Sequence, residues 1–230
     1  MSEKKDPFFR TMIEEFNMNK MCRTTNQSGR SMIEMLGVLA IIGVLSVGGI
    51  AGYSKAMTKY RINKTIDQIT QISQNVRMLY GKQRQKNYRN LNTRILYKAN
   101  LAPKEMFGSG YSMTNAWGRP VEIVTLGEDG YGGNTAFGIL TNTPSEEACI
   151  ELATQDWGSR DTTGLNSIMV ITKEFPREEA LGNCSGERGN GYAVACSGGS
   201  NISVPMPVDV AVDACSGNNQ GVALIYWIFQ

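Results

Sequence analysis

One stretch of this chain, residues 35–54, carries no charged side chain over twenty consecutive positions. At the rise of an α-helix, about twenty residues cross the hydrocarbon core of a bilayer. A secretory signal peptide has a shorter apolar core and a small-residue cleavage site, whereas this run passes through Tyr53 and Lys55 into a segment that still has helical character. The sequence therefore predicts a membrane-spanning helix that the protein keeps.

The residues after this run extend the same helix. Apolar side chains recur there at spacings of three, four and seven residues, which is the pattern of one helical face. They are Ile62, Ile66, Ile69, Val76 and Leu79. No proline occurs between Ser31 and Tyr80, and Gly81 followed by polar residues ends the pattern. We expect one helix of about fifty residues, with its first half in lipid and its second half packed on the rest of the chain.

The C-terminal part is rich in short β-type runs separated by Gly, Asn and Ser: "VEIVTL", "TAFGILT", "SIMVIT", "GYAVAC" and "VALIYWIF". Two short helices are predicted in "NLNTRILYKANLAPKEM" and "TPSEEACIELATQDW". In the second, Thr143 is the expected N-cap, Pro144 the first helical residue and Glu146 the partner in a capping box. The predicted fold is α+β, a long N-terminal helix packed on a mainly antiparallel sheet.

The five cysteines divide around the apolar run. Cys22 precedes it, and Cys149, Cys184, Cys196 and Cys215 follow it. Disulfides persist outside the cytosol, so four cysteines on one side indicate an exported domain, with three possible connectivities. Zinc is the less favoured alternative, because no two of the four form a C-x2-C pair and the chain has no histidine.

Several function classes are disfavoured by composition. The 23 basic and 21 acidic residues are scattered along the sequence, so nucleic acid is not indicated as a partner. The absence of histidine excludes Ser-His-Asp and Cys-His catalysis, and we predict neither an enzyme nor a cofactor. The glycine-rich "GEDGYGGN" at 127–134 is interpreted as a hairpin turn in preference to a calcium loop, because it offers few anionic ligands.

The start of the chain resembles the processing and assembly segment of type IV prepilins. Gly29 is followed five positions later by Glu34, then by the apolar run and the amphipathic helix. The segments "NLNTRILYKANLAPKEM", "NAWGRPVEIV", "TPSEEACIEL" and "ACSGNNQGVALIYWIF" are similar to the type IVb branch, which includes conjugative-pilus pilins. This resemblance implies that prepilin peptidase cuts between Gly29 and Arg30, and that Glu34, the fifth mature residue, acts in assembly.

The resemblance also implies an organisation and a location. Residues 1–29 are a leader peptide, 30–80 the transmembrane and assembly helix, and 81–230 a globular head with disulfides. The chain is expected to sit in the lipid bilayer of the bacterial inner membrane with its head in the periplasm. Inner-membrane assembly machinery then polymerises it with copies of itself into an extracellular pilus. Arg30 departs from the family, which usually carries an apolar, N-methylated first residue there.

The same resemblance favours one disulfide connectivity. It implies a bridge from Cys149, on the inward face of the second short helix, to Cys215, just before the last strand. The remaining pair is then Cys184 with Cys196. Among the open connectivities, we therefore expect Cys149–Cys215 and Cys184–Cys196.

Three functions are consistent with the sequence. A structural pilin is favoured. The alternatives are a type II secretion pseudopilin of the same architecture and an unrelated single-pass membrane protein with an exported binding domain. In the last case Glu34 is only an acid at the membrane edge. Sheared extracellular filaments that contain the chain would separate the first two.

Overall fold

A computed structural model describes residues 32–83, 87–126, 135–172, 186–189, 192–216 and 223–230 of the 230-residue chain. Its first described element is helix α1, Met32–Tyr80, which runs without interruption for 49 residues. This confirms the single long helix that the absence of proline predicts. The boundary between two compact units falls inside α1, after Gly52.

The second unit contains an antiparallel sheet. Its strands among the described residues are β1 (Met113–Thr114), β2 (Pro120–Leu126), β3 (Ala136–Asn142), β4 (Leu165–Ile171), β5 (Glu187–Gly189), β6 (Tyr192–Cys196) and β7 (Leu224–Phe229). They lie in the order β1-β2-β3-β7-β4-β6-β5, and every neighbouring pair is antiparallel. Each of the five runs predicted from sequence contains one of these strands, β2, β3, β4, β6 and β7. The last strand, β7, takes a central place, which fits its nearly continuous apolar sequence.

Three short α-helices accompany the sheet among the described residues: α2 (Thr93–Lys98), α3 (Glu146–Thr154) and α4 (Val208–Cys215). Two 3₁₀ helices, Lys104–Met106 and Ser109–Tyr111, follow α2. Helices α2 and α3 were predicted, and α4 was not. Its sequence, VDVAVDAC, has valine at every second position from Val208 to Val212, a spacing that favours a strand. In the structure it follows Pro207 as a helix whose buried residues are Val210, Ala211, Ala214 and Cys215.

The N-cap of α3 differs from the sequence-based prediction. Ser145, not Thr143, is the N-cap. Its backbone is extended, and its hydroxyl accepts a hydrogen bond from the Ala148 amide at 3.3 Å. Thr143 is buried, and both its amide and its hydroxyl donate to the Ala223 carbonyl, at 2.8 and 3.1 Å. These bonds hold Thr143 beside the start of β7, so Ser145 is the N-cap instead. Pro144 lies before the helix and is not its first residue.

The second half of α1 buries one face in the head. Ile62, Ile69, Ile72 and Val76 are almost fully buried, and Ile66 is partly buried. The prediction for Leu79 was wrong, because it is 43% exposed. The row of i, i+4 positions through Ile72 and Val76 ends instead at Tyr80. The Tyr80 ring centre lies 5.2 Å from that of Tyr88, so this contact completes the helix face.

The sheet buries apolar side chains on both sides. Around α1, α3 and α4 the core includes Trp227, Phe137 and Phe229, and the Phe137 and Phe229 rings stack at 5.4 Å. A second cluster contains Leu140, Met169, Tyr226 and Ile228 among its buried residues. The head therefore has a core large enough to hold a disulfide-linked helix pair against the sheet.

Candidate functional site

The first half of α1 exposes apolar side chains in every direction. The large exposed residues are Met32, Ile33, Met35, Leu36, Val38, Leu39, Ile41, Ile42, Val44, Leu45, Val47, Ile50 and Tyr53. Among the described residues, α1 is the one helix long and apolar enough to cross a membrane. A surface of this extent on a soluble monomer marks a contact with lipid or another protein. We therefore expect lipid or another protein chain to cover this half of α1.

Glu34 stands alone in this surface. It lies in the first turn of α1 and is the one charged residue in 32–54. A carboxylate in the first turn stabilises a helix through the helix dipole. In hydrocarbon, however, an uncompensated carboxylate costs about 3 kcal/mol. The predicted cleavage residues, Gly29 and Arg30, lie outside the described residues.

Five glycines interrupt the apolar half of α1, and none has a packing reason within the described chain. Apart from the adjacent residues and the nearby backbone of α1 itself, a Cβ added at Gly37, Gly43, Gly48, Gly49 or Gly52 would meet no described atom within 4 Å. Gly48 and Gly52 are spaced i, i+4, so they form a small patch on one side of the helix. Paired small residues let two helices in a membrane approach closely. The patch is therefore suited to a contact outside the protomer.

The second half of α1 is tied to the head by polar contacts. The Lys59 ammonium pairs with the carboxylate of Glu151 on α3 and lies 3.9 Å from that of Glu147. Further along, the Asn75 amide nitrogen donates to the Leu101 carbonyl at 3.0 Å. Sequence reasoning assigned no role to Lys59, because its partners lie about ninety residues away and no local spacing marks them.

Another ion pair joins α1 to the loop that follows α2. Lys64 Nζ lies 3.0 Å from Glu105 Oε1, which also accepts a 3.4 Å hydrogen bond from Gln68 Nε2. The hydrogen bond from Lys64 lowers the pKa of the Glu105 carboxyl, and the same bond raises the pKa of Lys64. Both groups stay charged across the physiological range, so the contact persists there.

The predicted Cys149–Cys215 disulfide is present. It joins α3 to α4 across 66 residues of sequence, with a Cα–Cα distance of 5.9 Å, and both cysteines are buried. Nearby, the Ser216 hydroxyl donates to Glu146 Oε1 at 2.6 Å. Cys196 is also disulfide-bonded. Its predicted partner, Cys184, lies outside the described residues, as does Cys22.

No group of three or more Cys, Asp or Glu side chains is placed to hold a metal ion among the described residues. The segment 127–134, interpreted above as a hairpin turn, lies outside them. The candidate site is therefore the uncovered half of α1 with its single carboxylate.

Comparisons with a family model and with solved structures both give matches over most of the chain. A family model described as PilS N terminal matches residues 59–226. The crystal structure of a type IV b pilin from Salmonella typhi is similar at 16% identity and a TM-score of 0.46, over 72% of this chain and 97% of that one. The structure of TcpA, a type IV pilin from Vibrio cholerae El Tor biotype, is similar at 14% identity and a TM-score of 0.45, over 74% and 99%. No curated protein matches the chain.

Proposed function

This chain belongs to the PilS family and is a pilin, a structural subunit of a type IV pilus, and from that premise we propose how its residues anchor it and direct its polymerisation. The proposal rests on one observation above the others. Glu34 is the sole charge in a helix half whose apolar side chains are all uncovered.

Before assembly, the protein is held in the bacterial inner membrane by the first half of α1. The head, residues 81–230, lies in the periplasm, where the Cys149–Cys215 disulfide is stable. Residues 1–29 are a leader, and residues 30–80 form the transmembrane and assembly helix. A prepilin peptidase cuts between Gly29 and Arg30. The spacing from Gly29 to Glu34 supports this cut, which creates a new α-amino group on Arg30.

Glu34 then sets the register of the filament. The amino group of Arg30 and the Glu34 carboxylate are four residues apart, about 6 Å along a helix. When helices are staggered along a fibre, the carboxylate of one subunit reaches the amino group of its neighbour. A subunit in the wrong register leaves the carboxylate unpaired in an apolar environment, which is costly. The Arg30 guanidinium offers the same carboxylate a second cation.

Cohesion comes from the apolar half of α1. Moving this surface from lipid to neighbouring helices gains little hydrophobic free energy, because lipid tails are equally apolar. Close packing must therefore drive the association of α1 helices, and the small Gly48 and Gly52 patch lets two helices approach closely. The partners are copies of the same chain, the bilayer before assembly, the peptidase and the inner-membrane assembly machinery. The role is structural, and we assign the chain no catalytic activity.

Sheared filaments test this function. Extracellular fibres collected from cells that express the chain should contain it, with a mature mass that begins at Arg30. Recovery of the chain only in the periplasm or the membrane, with no extracellular fibre, would support a pseudopilin instead.

A further inference from the structure

The part of α1 that directly follows the uncharged run carries positive charge alone. We call residues 53–64 the neck of α1. Acidic residues are absent from the whole of 35–66, whereas four basic residues fall within ten positions of the neck. They are Lys55, Lys59, Arg61 and Lys64. The neck is therefore a compact cationic segment at one end of the membrane span.

The head neutralises only half of this charge. The ammonium groups of Lys59 and Lys64 each pair with a carboxylate of the head. Lys55 and Arg61 are exposed, and neither forms an ion pair with any residue that the structure describes. These two cations are therefore available to a ligand.

Cations at this end of the span are unexpected from membrane topology. Lysine and arginine close to a span favour the cytoplasmic side of the membrane. The proposed function places the neck on the periplasmic side, and in this respect the inference rests on it. Basic side chains that oppose the required orientation, two of them without a partner in the described head, indicate a negatively charged ligand on that side.

Two exposed tyrosines mark the same level of the helix. Tyr53 and Tyr60 are 66% and 56% exposed, and their spacing of seven residues places them on one side of α1. Tyrosine is enriched where a helix crosses from hydrocarbon to water, because its ring is apolar and its hydroxyl is polar. The neck therefore combines aromatic and basic side chains in the way that suits the headgroup region of a bilayer.

The arrangement of the cations around the helix favours lipid over a protein partner. At 3.6 residues per turn, Lys55 and Arg61 lie about 120° apart around α1, and both lie away from the tyrosine side. A single partner helix covers one side of a helix, whereas lipid headgroups surround it. Anchors spread over several sides therefore fit the bilayer surface.

Both cations can reach the headgroups. Arg61 lies seven residues beyond the end of the uncharged run, about 10 Å along the helix, and the headgroup region is about 5–7 Å deep on each side of the bilayer. The Cα–Cβ bonds of a helix tilt toward its N-terminus, which in α1 is the direction of the span. The long side chain of Arg61 thus extends back toward the phosphates, and Lys55 starts beside them.

These observations select one class of lipid. Lysine and arginine donate hydrogen bonds to phosphate oxygens, which only accept them. In a zwitterionic lipid the ammonium of the headgroup offsets the phosphate charge, whereas an anionic phospholipid keeps a net negative charge. We propose that Lys55 and Arg61 bind the headgroups of anionic phospholipids at the periplasmic face of the membrane. Tyr53 and Tyr60 fix the neck at that depth.

The test measures lipid affinity of the unassembled, full-length chain. Native mass spectrometry from a non-ionic detergent compares its binding of phosphatidylglycerol and of phosphatidylcholine with the same acyl chains. The wild type should bind phosphatidylglycerol about tenfold more tightly or better. Lys55→Gln and Arg61→Gln should each weaken that binding about fivefold and leave phosphatidylcholine binding unchanged. Arg61→Lys, which keeps the charge, should bind almost as the wild type does.

Arg188→Gln is the matched control, because it removes an exposed cation from β5 of the head and should leave both affinities unchanged. Equal affinity of the wild type for the two lipids overturns the proposal. An equal loss in Arg188→Gln and Arg61→Gln also overturns it, in favour of unspecific charge attraction.

A filament assay separates the neck from the pilin function. If neither neck variant changes lipid affinity, the proposal is wrong, and loss of sheared filaments in the same variants would assign Lys55 and Arg61 to contact between subunits. The lipid measurement requires no assembly, so its failure leaves the pilin function standing. Absence of wild-type filaments would instead count against the pilin function alone.

Discussion

Cys149 and Cys215 join two helices that are 66 residues apart in sequence, and the bond lies in the core of the head. Each cysteine is on the inward face of its helix, among Ala148, Leu152 and Ala211. The bridge therefore closes a long loop of the unfolded chain without exposing sulfur in the folded one.

Removing this bridge should destabilise the head. Chain-entropy reasoning for a loop of this length gives a loss of about 4 kcal/mol in the free energy of unfolding for Cys149→Ser. Denaturant titration of the detergent-solubilised chain, followed by tryptophan fluorescence, measures it. Cys215→Ser should cost a similar amount, and the double variant little more than either single one. Additive losses would show that the two cysteines act separately.

Gly138 on β3 leaves room for the Tyr226 ring of β7, which would overlap a Cβ at that position. We expect Gly138→Ala to lower the free energy of unfolding by about 1–3 kcal/mol, as overpacking does. The same substitution in a Tyr226→Ala background should cost clearly less, because the overlapping ring is gone. Equal costs in both backgrounds would contradict this steric account.

The Lys64–Glu105 pair predicts a pH response. Because the pKa of Glu105 is lowered, its contribution to stability is present above the ordinary carboxyl pKa and is lost as pH falls through the lowered value. The raised pKa of Lys64 means that its contribution is present below the ordinary lysine pKa and is lost as pH rises through the raised value. In Lys64→Met, carbon NMR of the Glu105 carboxyl should show its midpoint moving up. An unchanged midpoint would remove Lys64 as the cause.

Cleavage at Gly29 is a separate expectation. Intact-mass measurement of the assembled protein should find a chain beginning at Arg30, and Gly29→Leu should leave the leader attached, because a bulky side chain obstructs the peptidase. A leader found on the assembled chain, or a cut elsewhere, would refute the proposed site.

Sequence patterns predicted those elements whose signals are local. The apolar run, the absence of proline and the 3.6-residue period predicted α1, and β-rich runs between turn residues predicted five strands. Helix α4 was missed because its valines recur at every second position, as in a strand, whereas in the structure the segment packs as a helix against α3 and the sheet. The N-cap of α3 was wrongly assigned to Thr143, because the Thr143 hydroxyl donates to the Ala223 carbonyl, eighty positions away in sequence.

The residues of the candidate site also divide into those with a local sequence signal, which were predicted, and those without one, which were not. Glu34 was recognisable because it interrupts an uncharged run, and Cys149 because it shares a helix face with Leu152. The ties of Lys59 to α3 and of Lys64 to Glu105 were not predictable, since their partners are distant in sequence. The same holds for the contact between the Tyr97 and Tyr111 rings, where the backbone at Gly110 and Tyr111 has left-handed φ values.

The central claim is that Glu34 sets subunit register, and its most direct test is the yield of sheared filaments from Glu34→Ala cells, at matched levels of membrane-inserted, cleaved protein. The account predicts normal insertion and cleavage but essentially no filaments. It predicts partial yield from Glu34→Asp, whose carboxylate is one methylene shorter. Glu122→Gln, which neutralises an exposed acid on β2, is the matched control and should assemble normally. Filaments from Glu34→Ala at the wild-type yield would contradict the account and leave Glu34 as an acid at the membrane boundary.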